Sequence, residues 1–529
     1  MAKEIIYTDK AREKLLRGVK KIASAVKLTA GPKGKNTVLD RKFATPLVTN
    51  DGVTIAKEIV LSDPFENVGA SIIKEACIKT NDIAGDGTTT AIILSEKMVT
   101  EGIRNIVAGA NPVLIKRGME KATKLVIDEI DKMSRPVNGK KEIQEIATIS
   151  AGDSSIGKLI AEAFEKVGSD GIITIQEGNL SHTYVNYVEG MQFERGYISP
   201  YMITNPEKLT TELDNPYIFI TEDKLSSLSD IIPVLEISAK DGKKLFIISD
   251  EIDGEALTAL NLNIMRGGIT AGAVKGPSFG DKRKDILNDI AILVGAKVFK
   301  KGIDSTENLK NYLGFCKKVV ITKTNTTIID GGGDPEKINE RISILHSQKI
   351  SLTDELDISD IEDRLAGLSG KVAVINVGAP SEVEMKEKKL RIEDALSATR
   401  SAREEGIVAG GGVALLSCMQ KLLEFISTLS GDEQTGAKII SKAIEAPIRQ
   451  IANNAGEDGS IVVHKIIQKD TAGYGFDAMT GKYCDMFERG IIDPAKVTKT
   501  ALISASSVSA TLLTTECIIT EKQQKTSEN

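Results

Sequence analysis

The sequence predicts a multidomain α/β protein, with largely helical regions at both ends of the chain enclosing a middle region of alternating strands and helices. Length is the first observation behind this: 529 residues exceed one ordinary core, and at roughly 150 residues per domain the chain holds three or four. The second and third are patterns. Apolar residues near both ends recur at helical spacing, whereas the middle carries short apolar runs bounded by turn residues.

In the N-terminal part Val68, Ile72 and Ala76, then Ile92, Leu94 and Met98, mark two long helices on either side of the loop Ala84-Gly-Asp-Gly-Thr-Thr-Thr90. Toward the C-terminus, Glu384 to Glu405 and Gly412 to Leu429 predict helices around the triple glycine Gly410 to Gly412. Between them, GIITIQ from Gly171, PYIFIT from Pro216, KKLFIIS from Lys243, IAILVG from Ile290 and KKVVITK from Lys317 predict the strands of an α/β region. The character changes near Gly190 and Gly370, with Pro136 and Gly406 as further joints; ordinary turn chemistry accounts for these residues as well as a hinge does. The last residues, EKQQKTSEN, read as a polar, disordered tail.

Composition narrows the function. With 41% apolar and 27% charged residues the chain is of the globular class, and a net charge of -6 argues against an electrostatic nucleic-acid binder. Five scattered cysteines without a CxxC pair, and three histidines, support neither a zinc site nor a disulfide framework. The first residues lack the apolar core of a secretory signal, and no stretch approaches a membrane helix. A bacterial cytoplasmic protein is the expectation, and an organellar protein without its presequence would look the same.

The loop at Asp86 combines glycines, hydroxyls and one acid just before a helix. Backbone amides at a helix start attract phosphate, and glycine lets it approach. A carboxylate there repels phosphate unless it holds Mg²⁺, so Asp86 reads as a Mg²⁺ ligand. A plain helix start capped by Asp86 or Thr88 explains the same residues. The segment Thr29-Ala-Gly-Pro-Lys-Gly34 and the triple glycine are further places for a nucleotide or for simple tight turns, and no GxxxxGK[ST] is present.

Two middle segments carry more apolar surface than one helix face needs: Leu228, Ile231, Ile232 and Leu235, and then Ala256, Leu257, Leu260, Leu262 and Ile264. Such helices are either buried on two sides or offer the surplus to a partner.

The segments VKLTAGPKGKN from Val26, NDGVTIAKEI from Asn50, NDIAGDGTTTA from Asn81, VEGMQFERGYISPY from Val188, TTIIDGGG from Thr326, EVEMKEKKLRIEDALSATRSAREEGIVAGGGVAL from Glu382 and GIIDPAKVT from Gly490 together resemble group I chaperonins of the bacterial GroEL type. The resemblance is collinear over essentially the whole chain except its tail. It implies an equatorial ATP-binding domain at 1–132 and 405–529, an intermediate domain at 133–188 and 373–404, and an apical domain at 189–372.

By position it further implies that Thr29, Ala30, Gly31 and Pro32 line a nucleotide, that Asp86 holds Mg²⁺, and that Gly87, Thr88, Thr89 and Thr90 meet the phosphates. Gly411, Asp477, Ala478, Met479 and Asp493 would surround base and ribose. Asp51 and Asp394 would be the catalytic acids near the γ-phosphate, with Asp394 orienting or deprotonating water. Without the resemblance, Asp394 reads as a solvated helix charge. The implied cofactors are ATP, Mg²⁺ and K⁺. The implied partners are non-native polypeptides and a GroES-type co-chaperonin, meeting Tyr197, Tyr201, Met202, Ile232, Leu235, Leu257, Asn261 and Leu262. Assembly into two stacked seven-membered rings is implied as well, with Arg195 and Glu382 as a bridge between neighbours and Arg449 and Asp458 where rings touch.

Five departures stand out. Asn50 replaces a usual lysine beside the nucleotide, Asn261 replaces an apolar groove residue, Gly152 and Lys371 differ near the joints, and the tail lacks Gly-Gly-Met repeats. Two other functions use similar parts: an ATP-dependent small-molecule kinase or ligase, and a ring that binds proteins without folding them.

Overall fold

The computed structural model describes residues 3–40, 46–167, 172–178, 181–206, 208–304, 306–351, 360–361, 364–365, 367–368, 370–469 and 471–521. The expected polar tail, apart from Glu521, lies outside them. The chain folds into two compact units, one comprising Met1–Glu162, Ile175–Tyr184 and Val377–Asn529, the other Ala163–Thr174 and Val185–Asn376.

The first unit is helical, as the spacing predicts. Helices Thr8–Val26, Pro64–Ala84, Thr88–Val107, Pro112–Met133, Gly431–Ile444 and Ala495–Leu513 share one aliphatic core that includes Leu15, Ile22, Ile73, Leu94, Met98, Met119, Ile440 and Leu502. Two helix pairs cross backbone against backbone. A Cβ on Gly18 would stand 1.8 Å from the Glu66 carbonyl oxygen, and one on Gly118 would stand 2.0 Å from that of Glu433. No side chain fits between such helices, so glycine is required at the crossings.

Short antiparallel pairs close the unit: Lys3–Tyr7 with Cys517–Glu521, Thr37–Leu39 with Leu47–Thr49, Ile407–Ala409 with Ile492–Pro494, and Tyr474–Asp477 with Lys482–Asp485. The region expected as one helix from Gly412 to Leu429 is two, Val413–Ser417 and Met419–Thr428. The break falls at Cys418, whose N–H bonds the Leu415 carbonyl three residues back and tightens the turn.

The second unit is α/β. Its sheet runs in the order Ala271–Lys275, Leu245–Ser249, Tyr217–Ile220, Gly314–Ile321, Thr326–Gly331, Tyr184–Phe193, Lys371–Val377, Ile172–Glu177, with Thr211–Asp214 also paired to Gly314–Ile321. The first three strands are parallel, as alternation with helices predicts. Four of the five expected strand runs are strands. IAILVG is instead the end of the helix Gly280–Val294. Leu287, Ile290, Ala291 and Val294 are all buried at the i, i+3, i+4, i+7 spacing of one helix face, and the run looks strand-like only when cut from the charged turns before it.

All five cysteines are unbonded, and Cys77, Cys316 and Cys418 are buried as small apolar side chains. Among the described residues no helix is long and apolar enough to cross a membrane.

Candidate functional site

The Asp86 loop is shaped by the helices it joins. Asp63 caps Pro64–Ala84 by accepting from the Phe65 and Glu66 amides, and Gly85, at φ 70°, ends that helix in the left-handed conformation. Gly87, at φ 81°, begins Thr88–Val107 and supplies no side-chain cap. Asp86 and Thr88 therefore do not cap this helix, and its first amides carry the unopposed partial positive charge of a helix start. The Asp86 carboxylate accepts from the Gly87 amide at one oxygen and from the Ser150 hydroxyl, at 2.8 Å, at the other.

Three further segments converge on this loop. The turn after Thr8–Val26 is held by Asn454, whose side-chain amide donates to the Lys27 carbonyl at 3.0 Å and the Ala30 carbonyl at 2.9 Å. That places the Thr29 hydroxyl 3.2 Å from the Thr89 hydroxyl, with Gly31 turning away at φ 80°. Asp51 caps the helix Gly52–Glu58 through the Val53 and Thr54 amides. A Cβ on Gly52 would lie 2.6 Å from the Thr89 hydroxyl and 2.8 Å from that of Thr88, so the two helix starts abut.

The third segment is the helix Glu382–Glu405, capped by Ser381. Its Ser401 hydroxyl donates to the Ala84 carbonyl at 2.9 Å, and a Cβ on Gly85 would come within 2.2 Å of the Ser397 side chain. Asp394, Ser397 and Ser401 lie three and four residues apart and so share a face. Asp394 accordingly faces the loop rather than solvent.

The charges follow from this crowding. Burial pushes the Asp394 carboxyl well above the ordinary range, and the negative charges of Asp51 and Asp86 push it further. Asp86 is raised by burial as well, less so because Gly87 and Ser150 donate to it. Asp493 is pushed up to about 6 by burial and then by the Asp86 charge, against a backbone hydrogen bond from Gly411. A group of acids that resists its own ionisation is a place that favours a cation. Among the described residues no three metal-ligating side chains gather tightly enough to enclose one. A Mg²⁺ ion that takes one carboxylate from Asp86 and its other oxygens from phosphate and water fits such a site.

On the far side of the loop, Val408 pairs with Asp493 across the short ladder, and the triple glycine follows directly. The hairpin carrying Asp477 packs there through Gly475, where a Cβ would meet Met486 and Val413 at 2.6 Å. Burial would raise Asp477, yet hydrogen bonds from Thr480, Met479 and Arg489 hold it below the ordinary range. Ala478 is buried and Met479 is 58% exposed. Asn50 is exposed at the end of the strand Leu47–Thr49.

The expected polypeptide-binding residues divide in two within the second unit. Helix Leu228–Asp241 packs on helix Gly254–Met265, and the turn Pro200–Met202 packs on the latter. Tyr201 is 59% exposed and Leu262 45%, and Tyr197, Ile232, Leu257 and Asn261 are half-buried. Met202, at 1% exposed, and Leu235, at 7%, are core residues instead. This corrects the expectation that both offer surface: the Met202 sulfur accepts from the Ala273 amide, and Leu235 packs inward with Ile231 and Val234. Arg195 stacks over Phe279 at 5.6 Å and donates to the Gly276 and Glu194 carbonyls.

Ser150, Ser397 and Asn454 escape the sequence reading. Ser397 alone left a signal, its spacing from Asp394. The other two reach the loop from distant helices.

The profile of the TCP-1/cpn60 chaperonin family matches residues 22–523, nearly the whole chain and every segment that builds the Asp86 site, and the chain belongs to that family.

Proposed function

We propose that this protein is the subunit of a group I chaperonin of the bacterial, cytoplasmic kind, which hydrolyses ATP to bind, enclose and release non-native polypeptides with a GroES-type co-chaperonin. Membership of a chaperonin family supports a role in protein folding. The observation that carries the ATPase is the convergence of the Thr29 turn, the Asp51 helix start, the Asp86 loop and Asp394 on one point. In this reading the uncapped amides of Thr88 to Thr90 hold phosphate oxygens, Asp86 supplies the protein's ligand to Mg²⁺, and K⁺ sits beside the nucleotide. Gly411, Asp477, Ala478, Met479 and Asp493 surround base and ribose. The raised pKa suits Asp394 to take a proton from the attacking water, since a base works best when its pKa lies near the working pH.

The apical segment 189–372 would present Tyr201, Leu262 and their half-buried neighbours to clients, and 133–188 with 373–404 would join it to the nucleotide-binding part. An apolar, sequence-tolerant surface suits many partners. Copies would assemble as two stacked seven-membered rings, with Arg195 and Glu382 pairing between neighbours.

The test is Asp394→Asn. ATP turnover should fall by about 100-fold or more while nucleotide binding persists. Turnover within tenfold of the parent removes Asp394 from the chemistry. Electron microscopy with and without ATP and co-chaperonin tests the assembly, and an absence of sevenfold rings in every condition overturns it.

A further inference from the structure

Helix Gly254–Met265 carries three uncharged polar side chains among its apolar ones, and two of them are satisfied by the helix itself. The Thr258 hydroxyl donates to the Gly254 carbonyl at 2.9 Å, and the Asn263 amide donates to the Ala259 carbonyl at 2.8 Å. Asn261 behaves differently. Its amide oxygen is sealed from solvent and accepts no hydrogen bond. The side chain as a whole is half-buried, one turn after Leu257 and one turn before the 62%-exposed Met265, beside the 45%-exposed Leu262. An acceptor shut away without a donor is a cost that the folded chain carries. Because the oxygen accepts no hydrogen bond, turning it outward breaks none at that atom.

We infer that Asn261 makes this groove selective for apolar polypeptide segments that carry a hydroxyl donor, such as threonine or serine, over segments that are purely aliphatic. The inference rests on the reading of this helix as part of the client-binding surface. An aliphatic residue at position 261 would reward any apolar segment alike. Asn261 instead leaves its oxygen unpartnered against a methyl group and satisfied against a hydroxyl. Sites that hydrogen-bond a ligand hydroxyl discriminate against the analogue that lacks it, because the site's own polar group is then stranded.

The experiment uses the assembled full-length protein without nucleotide and two fluorescent amphipathic peptides, identical except for Thr or Val at one central position. The two side chains have nearly the same shape and differ by a hydroxyl in place of a methyl group. The Thr peptide should bind about fivefold more tightly to the parent, the ratio expected of one net hydrogen bond. Asn261→Leu should tighten the Val peptide and erase the ratio, whereas Asn261→Asp, which keeps an acceptor, should preserve it. Equal binding of both peptides to the parent overturns the inference and leaves the client-binding reading standing. A ratio unchanged in Asn261→Leu, or lost in Asn261→Asp, also overturns it. Binding of neither peptide removes the client-binding reading and the inference with it. Should the variants fail to fold, the two peptides on the parent alone decide.

Discussion

Asp86 has both carboxylate oxygens occupied before any ligand arrives, and the more distant donor is Ser150. A group that orients a metal ligand without touching the metal typically changes metal affinity by about 10-fold to 100-fold when removed. On the proposed role of Asp86 as the Mg²⁺ ligand of an ATPase, Ser150→Ala should raise the Mg²⁺ concentration for half-maximal ATP hydrolysis by about 10-fold, read from titrations at saturating ATP. An unchanged Mg²⁺ dependence would show that the contact is incidental. Asp493 permits a test with the sign of pH built in. Its folded pKa of about 6 lies above the ordinary value, so the ionised form costs stability, fully above pH 6 and progressively less as the pH falls below it. Asp493→Asn should stabilise the nucleotide-free protein at pH 8, and by a smaller margin at pH 5, in matched thermal melts. A stabilisation equal at both values contradicts the assignment.

Among the elements, charge clusters link neighbouring helices beyond their shared core. Burial alone would raise Glu101, but Lys97 on its own helix and Lys442 on Gly431–Ile444 hydrogen-bond it down to about 2. A depressed carboxylate stabilises the fold above its unfolded value near 4.5 and loses that contribution as the pH falls toward 2. Glu101→Gln should lower the urea midpoint at pH 7 and shrink the gap to the parent in acid. In the second unit the fully buried Asp289 is clasped by Arg341 at 2.7 Å and Arg364 at 2.6 Å. Asp289→Ala removes the carboxylate that the two guanidinium groups share, leaving Arg364 its contact with Asp285, and should cost about 3–5 kcal/mol by chemical denaturation. The two long helices on either side of the Asp86 loop were legible from their apolar spacing, and so was the glycine turn between them. Ser150 and Asn454 were not, because they approach from 64 and 424 residues away, and nothing local in a serine or an asparagine marks such a contact. The misread IAILVG run has the same origin: a strand and the apolar end of a helix look alike over six residues.

For the whole molecule, the terminal and middle regions differ in fold class as the pattern along the chain foretold, and the first unit alone assembles the Asp86 site from both ends of the sequence. That return of the C-terminal segment was legible only as a resemblance, since no local pattern links Gly411 or Asp493 to Asp86. The glycine crossings at Gly18 and Gly118 bear on how this unit moves. At these crossings no layer of side chains separates the two helices that could rotate, slide or let in water. Their amides should exchange with solvent only when the entire unit opens, and hydrogen exchange should report one protection level for both crossings.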